Sequence, residues 1–352
     1  MTNSKINYRP VIIWLFTGVF LIILMVGVGG SVRLTNSGLS IVHWSPITGV
    51  IPPLNEAEWK AEFEQYKKIP EYQQEHKDFE LSDFKVIFLW EYFHRLIARI
   101  VGLIFLIPFM YFLSKGYFKD RKLLLKIVLI FIFASFQAWL GWFMVRSGFA
   151  DRYDVSHYRL AIHLFVAIML VSFVFWTAME LKYKDRILDI SLKPNFKKWT
   201  VGIIVIFLLQ EFYGAFTAGL NSGYYYSDYP LMGGEWFPSL ASKAWLSEGI
   251  MSIFEDPTMV YFIHRWFGLI LFSVILLFYF KFKQKTKSKE IKFGLNLLIT
   301  LIILQFTLGI LTVLTHINIV LAVLHQVNAI LIFLTLVNLV FYYSTRGEDT
   351  FA

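Results

Sequence analysis

Four of the eight histidines, His94, His163, His264 and His325, stand inside long apolar stretches. An ionisable side chain is expensive there and as a rule functional. Their spacing repeats: His94 and His264 are 170 residues apart, and His163 and His325 are 162 apart. Each half of the chain thus offers two imidazoles and, because the sequence contains no cysteine, no thiolate. Two facing imidazoles in a helical bundle fit bis-histidine ligation of a haem iron. Zinc or copper is the competing use, although a tetrahedral zinc site wants three or four close ligands and each half supplies two. One such histidine alone would serve as well for an interhelical hydrogen bond; the paired repetition argues against that for all four.

A carboxylate separates the two halves. Glu91 precedes His94 by three residues in Trp90-Glu91-Tyr92-Phe93-His94-Arg95, whereas the matching place in Val260-Tyr261-Phe262-Ile263-His264-Arg265 is Tyr261. On a helix these spacings share a face, so Glu91 beside an iron ligand would relay protons or stabilise a developing cation. The plainer uses are an interfacial surface acid or a charge favoured by a helix N-terminus. Arg95 and Arg265 follow His94 and His264 directly, and Arg99 lies one turn beyond Arg95. An arginine fork matches a haem propionate; snorkelling to the membrane interface is the alternative for Arg95 and Arg265, and the favoured reading for Arg33, Arg146 and Arg159. His76 reads as a surface residue, and His43, His157 and His316 as interface or supporting groups.

The elements that must carry these residues are membrane helices. Of 352 residues 57% are apolar and only 16% charged, outside the range of soluble domains. Eight runs, about 11–30, 86–113, 123–145, 158–179, 199–220, 259–280, 293–315 and 319–343, are long enough to cross a hydrocarbon core about 30 Å thick. All must be helical, because lipid-exposed backbone has no other way to satisfy its hydrogen bonds. The first run, preceded by Lys5 and Arg9, has the length of an uncleaved anchor rather than a signal peptide. Lys and Arg gather in the N-terminal tail and in 114–126, 180–198 and 281–292, which puts both termini in the cytoplasm. The net charge of +8 is thereby explained by topology, and no nucleic-acid partner is expected. Two long loops, 31–85 and 221–258, fall on the outer side. The first is acidic, and its stretch 55–80 reads as one or two amphipathic helices with Trp59, Phe63 and Tyr66 on one side, lying at the interface or capping the bundle.

The halves align internally. Gln137 and Gln305, like Gly141 and Gly309, are 168 residues apart, and Asn36-Ser37-Gly38 matches Asn221-Ser222-Gly223. Four helices therefore occur twice in the same orientation, a parallel repeat about an axis along the membrane normal. The expected fold is an all-α integral membrane protein of eight transmembrane helices forming two four-helix bundles. Its expected segments are tail and helix 1 (1–30), outer loop (31–85), helices 2–4 (86–179) and helices 5–8 (199–345). All four repeated histidines then lie near the outer ends of their helices.

Taken in order, Gly29 to Trp44 (GGSVRLTNSGLSIVHW), Glu91 to Arg95 (EYFHR), Gln137 to Gly148 (QAWLGWFMVRSG), His163-Leu164, Gly214 to Gly223 (GAFTAGLNSG), Tyr229 to Pro238 (YPLMGGEWFP), His264-Arg265 and His325-Gln326 resemble haem A synthase along nearly the whole chain. The resemblance implies oxidation of the C8 methyl of haem O to the formyl of haem A by successive hydroxylations, for haem-copper terminal oxidases. It implies haem b on His264 and His325, substrate haem O on His94 and His163, and an essential Glu91. It also implies the inner membrane of a bacterium and a haem O synthase as functional partner. The electron donor is left unnamed, and a homo-oligomer is left open. The chain is similar to the cysteine-free branch of the family; Val32 stands where a threonine is usual, and Gly233-Gly234-Glu235 replaces an aspartate-containing version. A diheme cytochrome in quinol-linked electron transfer uses the same ligation and is the nearest alternative. A transporter on a parallel repeat would carry no pigment and would tend to break its helices at mid-membrane; Pro108 is the exception to their central continuity here.

Overall fold

The computed structural model describes residues 6–43, 48–149, 154–184 and 195–344. Lys5, Trp44 and, within the basic stretch 180–198, residues 185–194 lie outside the described residues. Among the described residues regular structure is helical, and eight helices are long and apolar enough to cross a membrane. They are α1 (Arg9–Leu34), α4 (Leu81–Ser114), α5 (Arg121–Val145), α6 (His157–Lys182), α7 (Asn195–Gly219), α10 (Pro257–Lys283), α11 (Lys289–Leu314) and α12 (Ile319–Ser344). Four shorter helices, α2 (Glu56–Tyr66), α3 (Pro70–Glu75), α8 (Ser239–Glu248) and α9 (Ser252–Glu255), occupy the connections after α1 and after α7. All eight expected spans are present. Large apolar side chains on them face outward, Phe280 at 71% and Phe293 at 67% exposure, which suits lipid rather than water. The protein is a multi-pass membrane protein.

The chain divides into two compact units, one of residues 20–167 and one of 1–19 with 168–352. In the second, α7 packs on α10, α10 on α11, α11 on α12, and α12 returns to α7. Phe207 of α7 stacks on Phe333 of α12 with ring centroids 5.3 Å apart, and Phe196 meets Phe278 of α10 at 5.2 Å. Asp256 caps α10 through Met259 N, and Ser288 caps α11 through Ile291 N.

In the unit of residues 20–167, α4 stands out by length. Its 34 residues rise about 50 Å, more than the hydrocarbon core needs, so one end projects beyond it. Glu80 and Asp83 form a capping box at that end. That end carries Phe84 and Phe88, which α2 covers: Phe63 lies 5.1 Å from Phe84, and Trp59 lies 5.0 Å from Phe88. The α2 face with Trp59, Phe63 and Tyr66 therefore caps α4. Pro108 sits within α4 without ending it. Farther along, Phe131 of α5 packs between Phe105 and Phe109 of α4.

Candidate functional site

Each of the four repeated histidines rests against a glycine on a neighbouring helix. A methyl group at Gly29 would stand 3.3 Å from His94 Nε2, at Gly141 3.2 Å from His163 Cε1, at Gly214 3.1 Å from His264 Cε1, and at Gly309 3.0 Å from His325 Cε1. These positions are glycine because an imidazole fills the space where a Cβ would be. One turn before three of these glycines lies a glutamine whose side-chain amide meets the same ring. Gln137 Nε2 is 3.3 Å from His163 Nε2, Gln210 Nε2 is 3.0 Å from His264 Nδ1, and Gln305 Nε2 is 3.2 Å from His325 Nε2. Gln137 and Gln210 also donate to the main-chain carbonyls of their histidines, both at 3.0 Å. At the fourth position, one turn before Gly29, stands Met25, so His94 has the glycine without the amide.

An amide N–H only donates, so the ring nitrogen it meets holds a lone pair, and these three imidazoles are neutral. At His325 the tautomer is fixed further, because Nδ1 faces the Gln305 carbonyl at 3.1 Å and must donate to it. The Nε2 lone pair is thus presented, the arrangement found in metal-ligating imidazoles. Gln305 is itself oriented by Asn328, whose Nδ2 donates to Gln305 Oε1 at 2.8 Å. His94 and His163 lie close enough to interact electrostatically, as do His264 and His325. Gln137 Oε1, Gln210 Oε1 and His163 Nδ1 are buried without a hydrogen-bond partner among the described residues. Paired neutral imidazoles seated against glycines, with orphaned polar atoms beside them, fit haem iron. An incoming metal has only long amide contacts to displace at His163 and His325.

Glu91 occupies a different kind of corner. It is 2% exposed, and its carboxylate points at the segment following α1. Oε2 accepts from Ser40 Oγ at 2.7 Å and from Ile41 N at 2.8 Å, while Oε1 accepts from Arg95 Nη2. Ser40, 1% exposed, also sets its Oγ 3.3 Å from the Ile87 carbonyl one turn earlier on α4. Three donors, one of them cationic, make this a charge-assisted cluster that locks the carboxylate in place. Arg95 Nη2 further donates to the Ile41 carbonyl. Beside it lies a 440 Å³ cleft lined by His43, Tyr92, Arg95 and Arg99, with Glu58 and Glu62 also on its wall.

The counterpart corner is built without a carboxylate at that helix position. Tyr261, 3% exposed, packs with Met232 and Val313. Arg265 donates through Nη2 to the carbonyls of Asp228, Pro230 and Leu231. Burial opposes the charge of Asp228, but the N–H groups of Gly233 and Gly234, with Arg265 nearby, outweigh it and hold its carboxyl below the usual range. Arg265 thus anchors the 228–235 turn, a motif quoted above for other reasons.

The remaining expectations divide. Arg159 donates to the Phe143 carbonyl at 2.7 Å and lies 3.9 Å over the Phe143 ring, and Arg146 lies 5.4 Å over Trp142, so both are held by the protein. His157 is fully buried beside Tyr158, His43 is exposed at the cleft, and His316 is exposed with φ 51°. His76 is not the surface residue expected: it is 9% exposed, stacked on Phe79 at 4.0 Å, with Nδ1 2.6 Å from Tyr66 Oη. The acidic composition of its loop suggested exposure, but aromatic packing against α4 buries it. Gln137 and Gln305 stand out in the sequence as repeat and motif positions, and Ser40 and Ile41 only as members of the Gly29–Trp44 motif; nothing local marks Gln210. The recurring Gln-x-x-x-Gly, one turn apart on a helix facing a histidine, was the signal for the amides.

The model of the cytochrome oxidase assembly protein family matches residues 12–337. The chain is 44% identical over 314 residues to the heme A synthase of Flavobacterium psychrophilum, covering 88% of this chain and 90% of that one. It is 42% identical to the heme A synthase of Flavobacterium johnsoniae, covering 88% and 91%, and 36% identical to that of Wolbachia pipientis wMel, covering 88% and 86%. The chain belongs to the haem A synthase family. The match spans both histidine pairs and Glu91.

Proposed function

We propose that this protein is a haem A synthase that oxidises the C8 methyl of haem O to a formyl group by successive hydroxylation, with haem b as resident cofactor. The observation that carries the reading is the combination of two histidine pairs, each set against helix glycines, with a buried carboxylate corner at only one of them. His264 and His325 would hold haem b: Gln305, set by Asn328, fixes the His325 tautomer, while at His264 the Gln210 amide occupies the Nδ1 lone pair, so ligation through Nε2 would require that ring to change tautomer. His94 and His163 receive the haem O substrate. Haem b, when bound, supplies one-electron transfer. Met25 in place of a fourth glutamine leaves His94 without an amide clamp, which suits a ligand that must accept and release a substrate haem.

Glu91 acts at the substrate. Ser40, Ile41 N and Arg95 fix its carboxyl, so it would need no reorganisation to stabilise a cation or accept a proton arising near it. Arg95 and Arg265 carry positive charge toward the outer ends of their helices, where haem propionates would meet it. Both termini are cytoplasmic and the two haem sites lie toward the outer face of a bacterial inner membrane. A haem O synthase supplies the substrate. Expression beside such a synthase, followed by chromatography of the extracted haems, tests the reading. Haem A is expected from the native chain, and from Glu91→Gln a yield reduced by about a hundredfold or more. Haem O as the sole product of the native chain would leave a diheme electron-transfer cytochrome as the better reading.

A further inference from the structure

Three titratable side chains outside this site are buried together in the outer loop. Tyr66, at the end of α2, is fully buried; Glu71 of α3 is 7% exposed, and His76 follows α3. The Tyr66 hydroxyl lies 2.9 Å from Glu71 Oε2 and 2.6 Å from His76 Nδ1. The tyrosine ring packs 5.2 Å from Phe84, the first residue of the α4 stripe Phe84, Phe88, Glu91. Phe84 and Glu91 are seven residues apart, so the cluster stands about two turns, roughly 10 Å, along α4 from the Glu91 corner. Ser40, bonded to Glu91 and beside the Ile87 carbonyl, fills part of that span.

A hydroxyl between a carboxyl and an imidazole has two bonding patterns. In one, the Glu71 carboxyl donates to Tyr66 Oη and Tyr66 donates to His76 Nδ1. In the other, His76 Nδ1–H donates to Tyr66 Oη and Tyr66 donates to the Glu71 carboxylate. Passing from the first to the second breaks one O–H bond on Glu71 and one on Tyr66. It forms an O–H on Tyr66 and an N–H on His76, leaving an imidazolium that sheds its Nε2 proton to water. No heavy atom has to move. We propose that Tyr66, Glu71 and His76 form a proton relay between the outer aqueous side and the Glu91 corner, serving the oxidation of the substrate methyl. The relay rests on the assignment of Glu91 to the substrate site, because a methyl-to-formyl conversion must move protons.

The electrostatics suit such a relay. Burial raises Glu71 to about 8, with Tyr66 acting against the rise and Glu91 and Glu75 adding to it, while Arg33 opposes. Burial also lowers His76, against the pull of Glu75, and raises Tyr66 well above its usual range with help from Glu71, Glu91 and Tyr72. The short helix Arg146–Phe149 that packs on α3 brings one further charge, Arg146, over Trp142. A carboxyl brought up and an imidazole brought down put the resting proton on Glu71 and leave His76 neutral, which is the first bonding pattern, and the hydroxyl between them keeps its proton.

The test uses the full-length protein in membranes with haem O, Tyr66→Phe and Glu71→Gln, and rates measured against pH in water and heavy water. The native rate is expected to show a limb near pH 8 and a solvent isotope effect. Both variants are expected to lose the limb and about tenfold or more in kcat, with KM for haem O and the haem spectrum unchanged. An infrared carboxyl band titrating near pH 8, absent in Glu71→Gln, identifies the group. A Tyr66→Phe protein with native haem spectrum, native kcat and native pH profile would overturn the relay. Glu91→Gln is read separately: native turnover there sinks the assignment of Glu91, whereas lost turnover with the infrared band intact keeps the two roles distinct.

Discussion

At the scale of single residues, the proposed ligand sites depend on what is missing from a helix as much as on the histidines. Gly214 and Gly309 leave room for imidazoles that a methyl group would meet at 3.1 and 3.0 Å. Gly309→Ala is expected to cost about 1–3 kcal/mol through overpacking and to lower haem b occupancy, measured as absorbance per protein after purification. Gly202, with open space around its Cβ position, is the control and should tolerate alanine. His264→Ala or His325→Ala is expected to abolish the low-spin haem b spectrum, and intact low-spin haem in both variants would contradict the assignment. The histidines were legible because ionisable groups in apolar runs are rare. Their amide partners were less so, because a glutamine on a membrane helix is informative only once the facing ring is known. His76 was misread because loop charge counts do not show which side chain turns inward.

At the scale of elements, α2 and α3 form a folded cap on α4. Asn55 caps α2 through Glu58 N at 2.9 Å, and Asn55→Ala is expected to destabilise that helix by about 1 kcal/mol, seen as faster amide exchange confined to α2. Phe84→Ala removes the ring on which Phe63 and Tyr66 rest and is expected to cost about 3–5 kcal/mol, loosening the loop before the spans. The loop's stability should also depend on pH. Glu71 is raised from 4.5 to about 8, so the stabilisation from its protonated form is full below about 4.5 and is lost as pH rises toward 8. His76 is lowered from 6.5, so its contribution is present above that value and lost as pH falls. Limited proteolysis across pH should find the loop more readily cut at pH 9 than at pH 6, and Glu71→Gln should remove that difference. Amphipathic spacing made α2 legible, whereas the extra turns of α4 that support it were not, since their apolar residues merge with the span that follows.

At the scale of the whole molecule, the arrangement of Lys and Arg makes a prediction that the helices alone do not. Reporter fusions after Ser344 and within 284–288 are expected to be active on the cytoplasmic side, and a fusion within 221–258 on the outer side. The opposite pattern would reverse the haem sites across the membrane. The sequence by itself determined the helical class, the eight spans, the histidine pairs and the isolation of Glu91, because bilayer thickness and the cost of buried charge act on residue type and run length alone. Tertiary structure decided that Glu91 is clamped by Ser40, Ile41 and Arg95, that glutamines orient three of the four histidines, and that His76 joins Tyr66 and Glu71. Those contacts join residues up to 54 positions apart, and whether a polar side chain meets its partner depends on helix rotation and depth, which local spacing does not encode.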